Sequence, residues 1–289
     1  MSFDTDHPLI LTASCPSRMG TTAAIAGFLS AHRLYIMEMQ QFDDSISQRF
    51  FVRATFCAVR GEALDLAALR SDFTEVASAE KLDWRIHASS ERTRVLLMVS
   101  NFDHCLEDLL YRHRIGELRM DIIAIVSNHV TLQPVAAQHR IPFFHLPVTP
   151  ATKLEQERRL LELIESTHTE LVVLARYMQI LSNELCGQLR GRAINIHHSF
   201  LPGFKGAKPY HQAYERGVKL IGATAHYVTD DLDEGPIIEQ VVERVDHRDT
   251  PEMLVAAGRD SERRALSTAV RLAIEHRIFL NGNRTVVFR

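Results

Sequence analysis

The 289-residue sequence lacks the segments that would place a chain in a membrane or export it. No apolar run approaches the ~18 residues that a membrane-spanning helix needs. The opening residues, MSFDTDHPLI, have neither the basic region nor the apolar core of a secretory signal. We therefore expect a cytoplasmic protein with no membrane partner, in which the cysteine thiols stay reduced.

The sequence also has little of what metal sites and nucleic-acid binding require. The four cysteines (Cys15, Cys57, Cys105 and Cys186) form no C-x-x-C pair, and no H-E-x-x-H segment occurs. Lys and Arg total 33 against 36 Asp and Glu, and a formal charge of −3 gives no field that would attract nucleic acid. We expect neither a metal nor a nucleic-acid partner. What stands out instead is the 15 histidines.

At roughly 150 residues per domain, the length predicts two domains. Across residues 1–88, apolar periodicity predicts the order β-α-β-β-α-β, which is typical of a ferredoxin-like α+β domain. Within it, the alternation in 34–42 predicts that Tyr35, Met37 and Met39 share one face of a strand. Residues 89–93 are small and polar and are interpreted as a linker.

Residues 94–289 follow a different pattern, in which fully apolar strands alternate with amphipathic helices. Runs such as VLLMVS at 95–100, DIIAIVS at 121–127 and ELVVLA at 170–175 lack polar alternation, as strands covered on both faces do. This predicts an α/β domain with a doubly wound, mostly parallel sheet. Ligands of such sheets bind at the carboxyl ends of the strands, so the loops there are where function is expected.

Three side chains in these loops suit acyl chemistry. A strand ends at Asn195 and His197, and Asp233 follows a later strand in an acidic turn. An imidazole moves protons near neutral pH, an amide N–H stabilises an oxyanion, and a carboxylate orients the imidazole. Spacing alone supports only a weak hypothesis, because Asn-x-His at a strand end is most often an ordinary polar loop and an acidic turn with Gly-Pro is most often a solvated turn.

The residues around this trio resemble a known family. The segments NIHHSFLPGFKG and GATAHYVTDDLDEGPII are similar to the core of the formyltetrahydrofolate-dependent formyltransferases, whose pattern is Asn-x-His, Ser-x-Leu-Pro and His before Val-Thr-Asp-x-x-Asp-x-Gly-Pro. ARYMQIL at 175–181, FFHLPV at 143–148 and FKGAKPYH at 204–211 resemble a narrower group, the formyltetrahydrofolate deformylases. That group joins an amino-terminal ACT domain to a formyltransferase domain.

The resemblance implies the roles of individual residues. Asn195, His197 and Asp233 would be catalytic, with His226 as a supporting residue near Asp233, although a histidine in a strand is more often structural. The folate would contact residues on two loops and one basic segment: Met178, Gln179, Ile180, Leu181, Thr229, Asp230, Asp231, Lys205 and Gly206. Core packing is a credible alternative for the side chains of Met178, Ile180 and Leu181. Lys205 and Lys208 would attract the glutamyl tail, although lysines on a loop are usually just solvated. No cofactor is implied, because the folate is the substrate.

The loop at Ser100–Cys105 favours water as the formyl acceptor. The amine acceptor of a related transformylase carries a phosphate, which a glycine-rich loop at this place would bind. Here the loop lacks the glycine that would let the backbone approach a phosphate, and Asp103 would repel the anion while capping the next helix. We therefore expect hydrolysis of 10-formyltetrahydrofolate to formate and tetrahydrofolate, which would supply one-carbon and purine metabolism. Transfer to a small amine and an inactive folate- or amino-acid-sensing protein are the alternatives.

The amino-terminal domain departs from the ACT pattern at its first loop. Where Asp-x-Pro-Gly is usual, Ser17, Arg18, Met19 and Gly20 occur, so Gly20 is kept and Ser17 replaces the acid while still able to cap the helix. Two roles are therefore equally expected for this domain. It binds an amino-acid effector at Ser17 and Gly20, or it only builds a homo-oligomer.

Overall fold

The computed structural model describes residues 3–61, 64–201 and 209–289, and it divides into two compact units. The first unit contains residues 1–92, 275–281 and 286–289, and the second contains 93–274 and 282–285. The sequence assigned 94–289 to one domain, whereas residues 275–281 and 286–289 group here with the first unit.

The first unit has the expected order of elements. They are β1 (Leu9–Pro16), α1 (Thr21–Ala31), β2 (Tyr35–Asp44), β3 (Arg49–Cys57), α2 (Leu66–Glu80) and β4 (Asp83–Ala88). Their sheet is antiparallel with strand order β2-β3-β1-β4, so the predicted ferredoxin-like arrangement is confirmed. Its core lies between the sheet and the two helices, with Leu11, Ile25 and Phe73 almost fully buried.

Two local expectations in this unit are wrong. A bulge between Ile36 and Glu38 shifts the register of β2, so Met39 packs with Ile36 against the core whereas Tyr35 and Met37 are exposed. The cap of α1 is Gly20, in the left-handed region at φ 94°, and no side chain caps the helix. Ser17 instead donates its hydroxyl to Asp43 Oδ1 at 2.6 Å.

The second unit is built on a seven-stranded sheet. Its elements are β5 (Thr93–Val99), α3 (His104–Arg114), β6 (Met120–Ser127), α4 (Gln133–Gln138), β7 (Phe143–His145), α5 (Lys153–Ser166), β8 (Leu171–Leu174), α6 (Asn183–Gln188), β9 (Ala193–His197), α7 (Pro209–Glu215), β10 (Leu220–Tyr227), β11 (Ile237–Arg244) and α8 (Pro251–Ile274). The strand order is β11-β10-β9-β8-β5-β6-β7.

The pairing in this sheet confirms the mostly parallel, doubly wound fold. Strands β7, β6, β5, β8 and β9 are parallel, and β10 and β11 extend the β9 edge in antiparallel pairing. Leu96 and Met98 of β5 pack with Leu160 and Ile164 of α5 in one core cluster. Asp103 precedes α3 as expected, but its side chain makes no capping hydrogen bond.

The segment after the 24-residue α8 returns to the first unit. A short hairpin, β12 (Ile278–Asn281) and β13 (Arg284–Val287), follows the helix. Within the first unit, the ring of Phe279 packs edge-on against Phe51 at 5.7 Å, and Asn281 donates to Asp44 Oδ2 at 2.6 Å. Sequence periodicity did not reveal α8 or this return.

The four cysteines are buried and unpaired, and burial raises the pKa of each thiol. In the described parts of the chain, no helix combines the length and the apolar character needed to cross a membrane.

A glycine in α8 gives a test of the packing. Replacing a helical glycine with alanine ordinarily stabilises a protein by about 0.5–1 kcal/mol. A Cβ on Gly258 would lie 2.0 Å from Tyr210 Cζ, so Gly258→Ala should instead lower the free energy of unfolding by roughly 1–3 kcal/mol. Urea unfolding followed by circular dichroism measures this. Gly187→Ala in α6 is the control, because within the described structure no atom outside the adjoining backbone lies within 4 Å of its Cβ position. Equal stability of the two variants would contradict the packing described.

Candidate active site

Antiparallel pairing of β9 with β10 brings the first two polar side chains together. Asn195 and His226 are direct cross-strand partners, and side chains of such partners lie close on the same face. His197 is two residues beyond Asn195 and therefore points to that face as well. The pairing thus assembles an amide and two imidazoles at the end of β9.

The acidic turn after β10 carries Asp233 back to these strands. Tyr227 N–H donates to the carbonyl of Pro236 at 3.0 Å, which closes the turn. A Cβ on Gly235 would lie 1.7 Å from the Tyr227 carbonyl oxygen, so only glycine permits this close approach. Asp233 has φ 58°, a left-handed conformation that aspartate tolerates better than most residues.

His197 and Asp233 form the central pair of the site. His197 Nδ1 lies 3.1 Å from Asp233 Oδ1. Burial alone would raise the pKa of Asp233, but the hydrogen bond from His197 and the charges of His197, His226 and His198 outweigh it, so the pKa lies below its usual value. Asp233 is therefore a carboxylate at neutral pH. At the other side of the ring, His197 Nε2 is buried and has no hydrogen-bond partner among the described residues.

His226 fixes the orientation of the Asn195 amide. Its Nδ1 lies 2.8 Å from the Tyr227 carbonyl, which only accepts, so Nδ1 carries the hydrogen. Burial lowers the pKa of His226 and keeps the ring neutral, which leaves Nε2 as an acceptor. Asn195 Nδ2 donates to that atom at 3.3 Å and keeps one N–H to donate elsewhere.

A cavity of about 270 Å³ adjoins these groups, and most of the residues predicted from the sequence line it. They are Asn195, His197, His226, Asp233, Met178, Gln179, Ile180, Leu181, Thr229 and Asp230. Asp231 is in the same turn and is exposed, but it is not among the described residues that line the cavity. Lys205, Gly206 and Lys208 lie outside the described residues. Ser17 and Gly20 belong to the first unit.

The loop after β8 forms one wall of the cavity and is held by the neighbouring strands. Met178 N–H donates to Ser100 Oγ at 2.9 Å, and Ser100 Oγ donates to Asn128 Oδ1 at 2.7 Å. Leu181 packs in the core, as the alternative interpretation had it. Met178 and Ile180 are 49% and 62% exposed, so they offer apolar surface to a ligand.

The sequence interpretation assigned no role to three residues of this region. Arg176 and His198 line the cavity. Glu262 of α8 is fully buried and lies 3.3 Å from Arg176 Nε. The signal for Arg176 was a charged residue directly after a buried strand, at the sheet edge where ligands bind. Glu262 had no such signal, because it is distant in sequence.

This arrangement supports proton transfer at one imidazole beside an amide donor. Asp233 holds Nδ1 of His197, Nε2 remains available to a reactant, and Asn195 retains an N–H for a developing negative charge. Such groups serve addition to a carbonyl carbon and collapse of the tetrahedral intermediate.

Comparison with known proteins assigns the class. The model of the formyl transferase family matches residues 93–270. A formyltetrahydrofolate deformylase from Corynebacterium sp. (strain P-1) is 53% identical over 280 residues, which cover 97% of this chain and 98% of that protein. The crystal structure of the deformylase from Burkholderia mallei superimposes with a TM-score of 0.94 at 58% identity, covering 98% of this chain and 100% of the other.

A more distant structure is similar over part of the chain. Glycinamide ribonucleotide transformylase 1 from Symbiobacterium toebii superimposes with a TM-score of 0.64 at 30% identity, and the match covers 68% of this chain and 95% of that one. The two near full-length matches described above are to deformylases. The chain therefore belongs to the formyltetrahydrofolate deformylase family.

The origin of the Asp233 pKa can be tested directly. Because His197 supplies the strongest of the interactions that lower this pKa, His197→Ala should raise it and leave burial dominant. Carbon-13 NMR titration of the aspartate carboxyls measures the change, with Asp233→Asn identifying the signal. His198→Ala is the control and should produce a smaller rise in the Asp233 pKa, since the charge of His198 contributes less than those of His197 and His226. A signal that does not move in His197→Ala would refute the pairing.

Proposed function

We propose that this protein hydrolyses 10-formyltetrahydrofolate to formate and tetrahydrofolate. The observation that carries the proposal is the His197 ring, which lines the cavity with Nδ1 held by Asp233 and with Nε2 buried and unpartnered in the described structure. Near full-length likeness to the Corynebacterium and Burkholderia deformylases supports the same reaction.

His197 acts first as a base. Its Nδ1–H donates to the Asp233 carboxylate, so the neutral ring has its lone pair on Nε2. Nε2 takes a proton from water as the water oxygen bonds to the formyl carbon. The imidazolium that forms is stabilised by Asp233. The imidazolium then gives the proton to N10 as the C–N10 bond breaks, releasing tetrahydrofolate and formic acid, which ionises to formate.

Asn195 acts on the formyl oxygen. Its Nδ2 is oriented by His226 and has one N–H left, which donates to that oxygen as negative charge develops in the tetrahedral intermediate. The donor is placed before substrate arrives, so no reorganisation is needed during the reaction.

The folate ring binds in the cavity between two loops. The apolar side chains of Met178 and Ile180 contact one side of the planar pterin, and Thr229 and Asp230 contribute polar groups on the other. Backbone groups of 178–181 read its donor and acceptor edges, because that loop is anchored through Ser100. Lys205 and Lys208, which lie outside the described residues, would attract the glutamyl tail through their charge.

The amino-terminal unit is an ACT domain in this proposal, and the protein is a cytoplasmic homo-oligomer serving one-carbon and purine metabolism. The Asp43 carboxylate beside Ser17 supports an amino-acid effector, since it supplies acidity that the loop itself lacks. Exposed Tyr35 and Met37 on the edge strand β2 support assembly. Effector binding and a role in assembly alone are proposed with equal weight.

Loss of the catalytic groups should abolish formate release in the absence of any amine. His197→Ala and Asp233→Asn should each lower kcat by about 10²–10⁴, and Asn195→Ala by roughly 10²–10³. Purified protein with 10-formyltetrahydrofolate, assayed for formate and tetrahydrofolate, gives the rates. His129→Ala changes an exposed histidine and should match the unsubstituted protein. Absence of formate release by the unsubstituted protein would overturn the proposed function.

His226 provides a test of amide positioning. His226→Ala removes the acceptor that orients Asn195, so kcat should fall while KM changes little. In His226→Gln a side-chain oxygen can accept from Asn195 Nδ2, and most of the lost kcat should return. Steady-state kinetics of both variants measures this. If the glutamine variant is as slow as the alanine variant, His226 does not act through Asn195.

A further inference from the structure

The winding of the seven-stranded sheet marks a second position at which a ligand is expected, beside the active-site cavity. From β5 the chain proceeds to β6 and β7 on one side, whereas β8 and β9 lie on the other. The order therefore reverses between β5 and β8, and doubly wound sheets take ligands in the crevice outside the strand ends at such a point. Here the crevice is bounded by the residues after Val99 and after Leu174.

The crevice is occupied by a side chain of the protein. Arg176 is only 10% exposed, and its guanidinium carbon lies 5.0 Å from the centroid of the Phe102 ring. Its backbone has φ 66°, in the left-handed region that favours glycine. Residues with this backbone conformation occur at functional sites among other places.

A buried carboxylate holds Arg176 in place. Glu262 Oε2 lies 3.3 Å from Arg176 Nε and accepts from His104 Nε2 at 2.8 Å, while Oε1 accepts from the Tyr210 hydroxyl at 2.9 Å. Burial alone would raise the pKa of Glu262, but the hydrogen bond from His104 and the charge of Arg176 outweigh it and lower the pKa. The crevice thus contains the Arg176 cation stacked on the Phe102 ring, next to the Glu262 carboxylate, whose two oxygens both accept hydrogen bonds.

The active-site cavity ends at Arg176. That residue lines the cavity beside Leu174 and Met178, but among the described residues none from 100 to 105 does. The Arg176 side chain borders the cavity and stacks on Phe102, so it lies between the cavity and the residues that follow β5.

We propose that Phe102, Arg176 and Glu262 form a plug that keeps amines from the formyl carbon and so determines that water is the acceptor. This deepens the proposed hydrolysis and rests on it. An amine entering the crevice would attack with its nitrogen lone pair. The new C–N bond would form as the C–N10 bond breaks, and a proton would pass from the amine to N10, giving a formylated amine and tetrahydrofolate.

Opening the plug should convert part of the hydrolysis into transfer. Phe102→Ala removes a half-exposed ring. Arg176→Gly removes the guanidinium and suits the left-handed backbone. The control is Tyr111→Ala, which truncates an exposed aromatic residue on α3 that is not part of the plug.

The measurement is the ratio of N-formylglycinamide to formate produced from 10-formyltetrahydrofolate with glycinamide as the amine probe. The unsubstituted protein and Tyr111→Ala should give formate almost alone. Phe102→Ala, Arg176→Gly and the double variant should raise the ratio at least tenfold, in proportion to glycinamide concentration. Each turnover of the active protein gives one product or the other, so the ratio of the products does not depend on how much of a variant is active.

Two outcomes separate this proposal from the proposed function. If the unsubstituted protein releases formate without amine but the ratio in Phe102→Ala equals that of the control, hydrolysis stands and the plug is refuted. Equal formylation of glycinamide by the unsubstituted protein and the variants would also refute the plug. If the unsubstituted protein releases no formate without amine, the proposed function itself fails.

Discussion

The antiparallel pairing of β9 with β10 is the constraint on which the site depends. It sets Asn195 opposite His226, and the turn that follows β10 returns Asp233 to His197. A one-residue slip in this register would send every side chain of the strand to the opposite face. The rest of the parallel sheet provides a rigid base for these two strands, and Gly235 permits the turn to close against Tyr227.

The two ring nitrogens of each central histidine have different surroundings, and this asymmetry determines which nitrogen donates and which accepts a hydrogen. His226 gives its hydrogen to a carbonyl and accepts from Asn195, so it is a fixed, neutral spacer. His197 binds a carboxylate at one nitrogen and has no described partner at the other. Histidine therefore fixes an orientation at position 226 and exchanges protons at position 197. Both rings are buried, so their hydrogen-bond partners, not residue type, separate the two functions.

Much of this could be predicted from sequence because the relevant signals are local. Apolar strands without alternation predicted the doubly wound sheet. The resemblance to the formyltransferases implied that Asn195, His197 and Asp233 would share a site, and the structure places all three around one cavity. The bulge in β2 escaped prediction, since an unpaired residue leaves no mark in the periodicity. Glu262 escaped as well, because its meeting with Arg176 depends on packing between elements far apart in the chain.

The return of residues 275–281 and 286–289 to the first unit has a consequence for the order of synthesis. Domains generally fold as they emerge from the ribosome, amino-terminal first. Here β1 to β4 are translated early, yet Phe279 and Asn281, which pack on Phe51 and Asp44, come after the whole second unit. The first unit must therefore wait with part of its sheet uncovered until the second unit has been made. The first unit can make these last contacts only after the second unit has been translated.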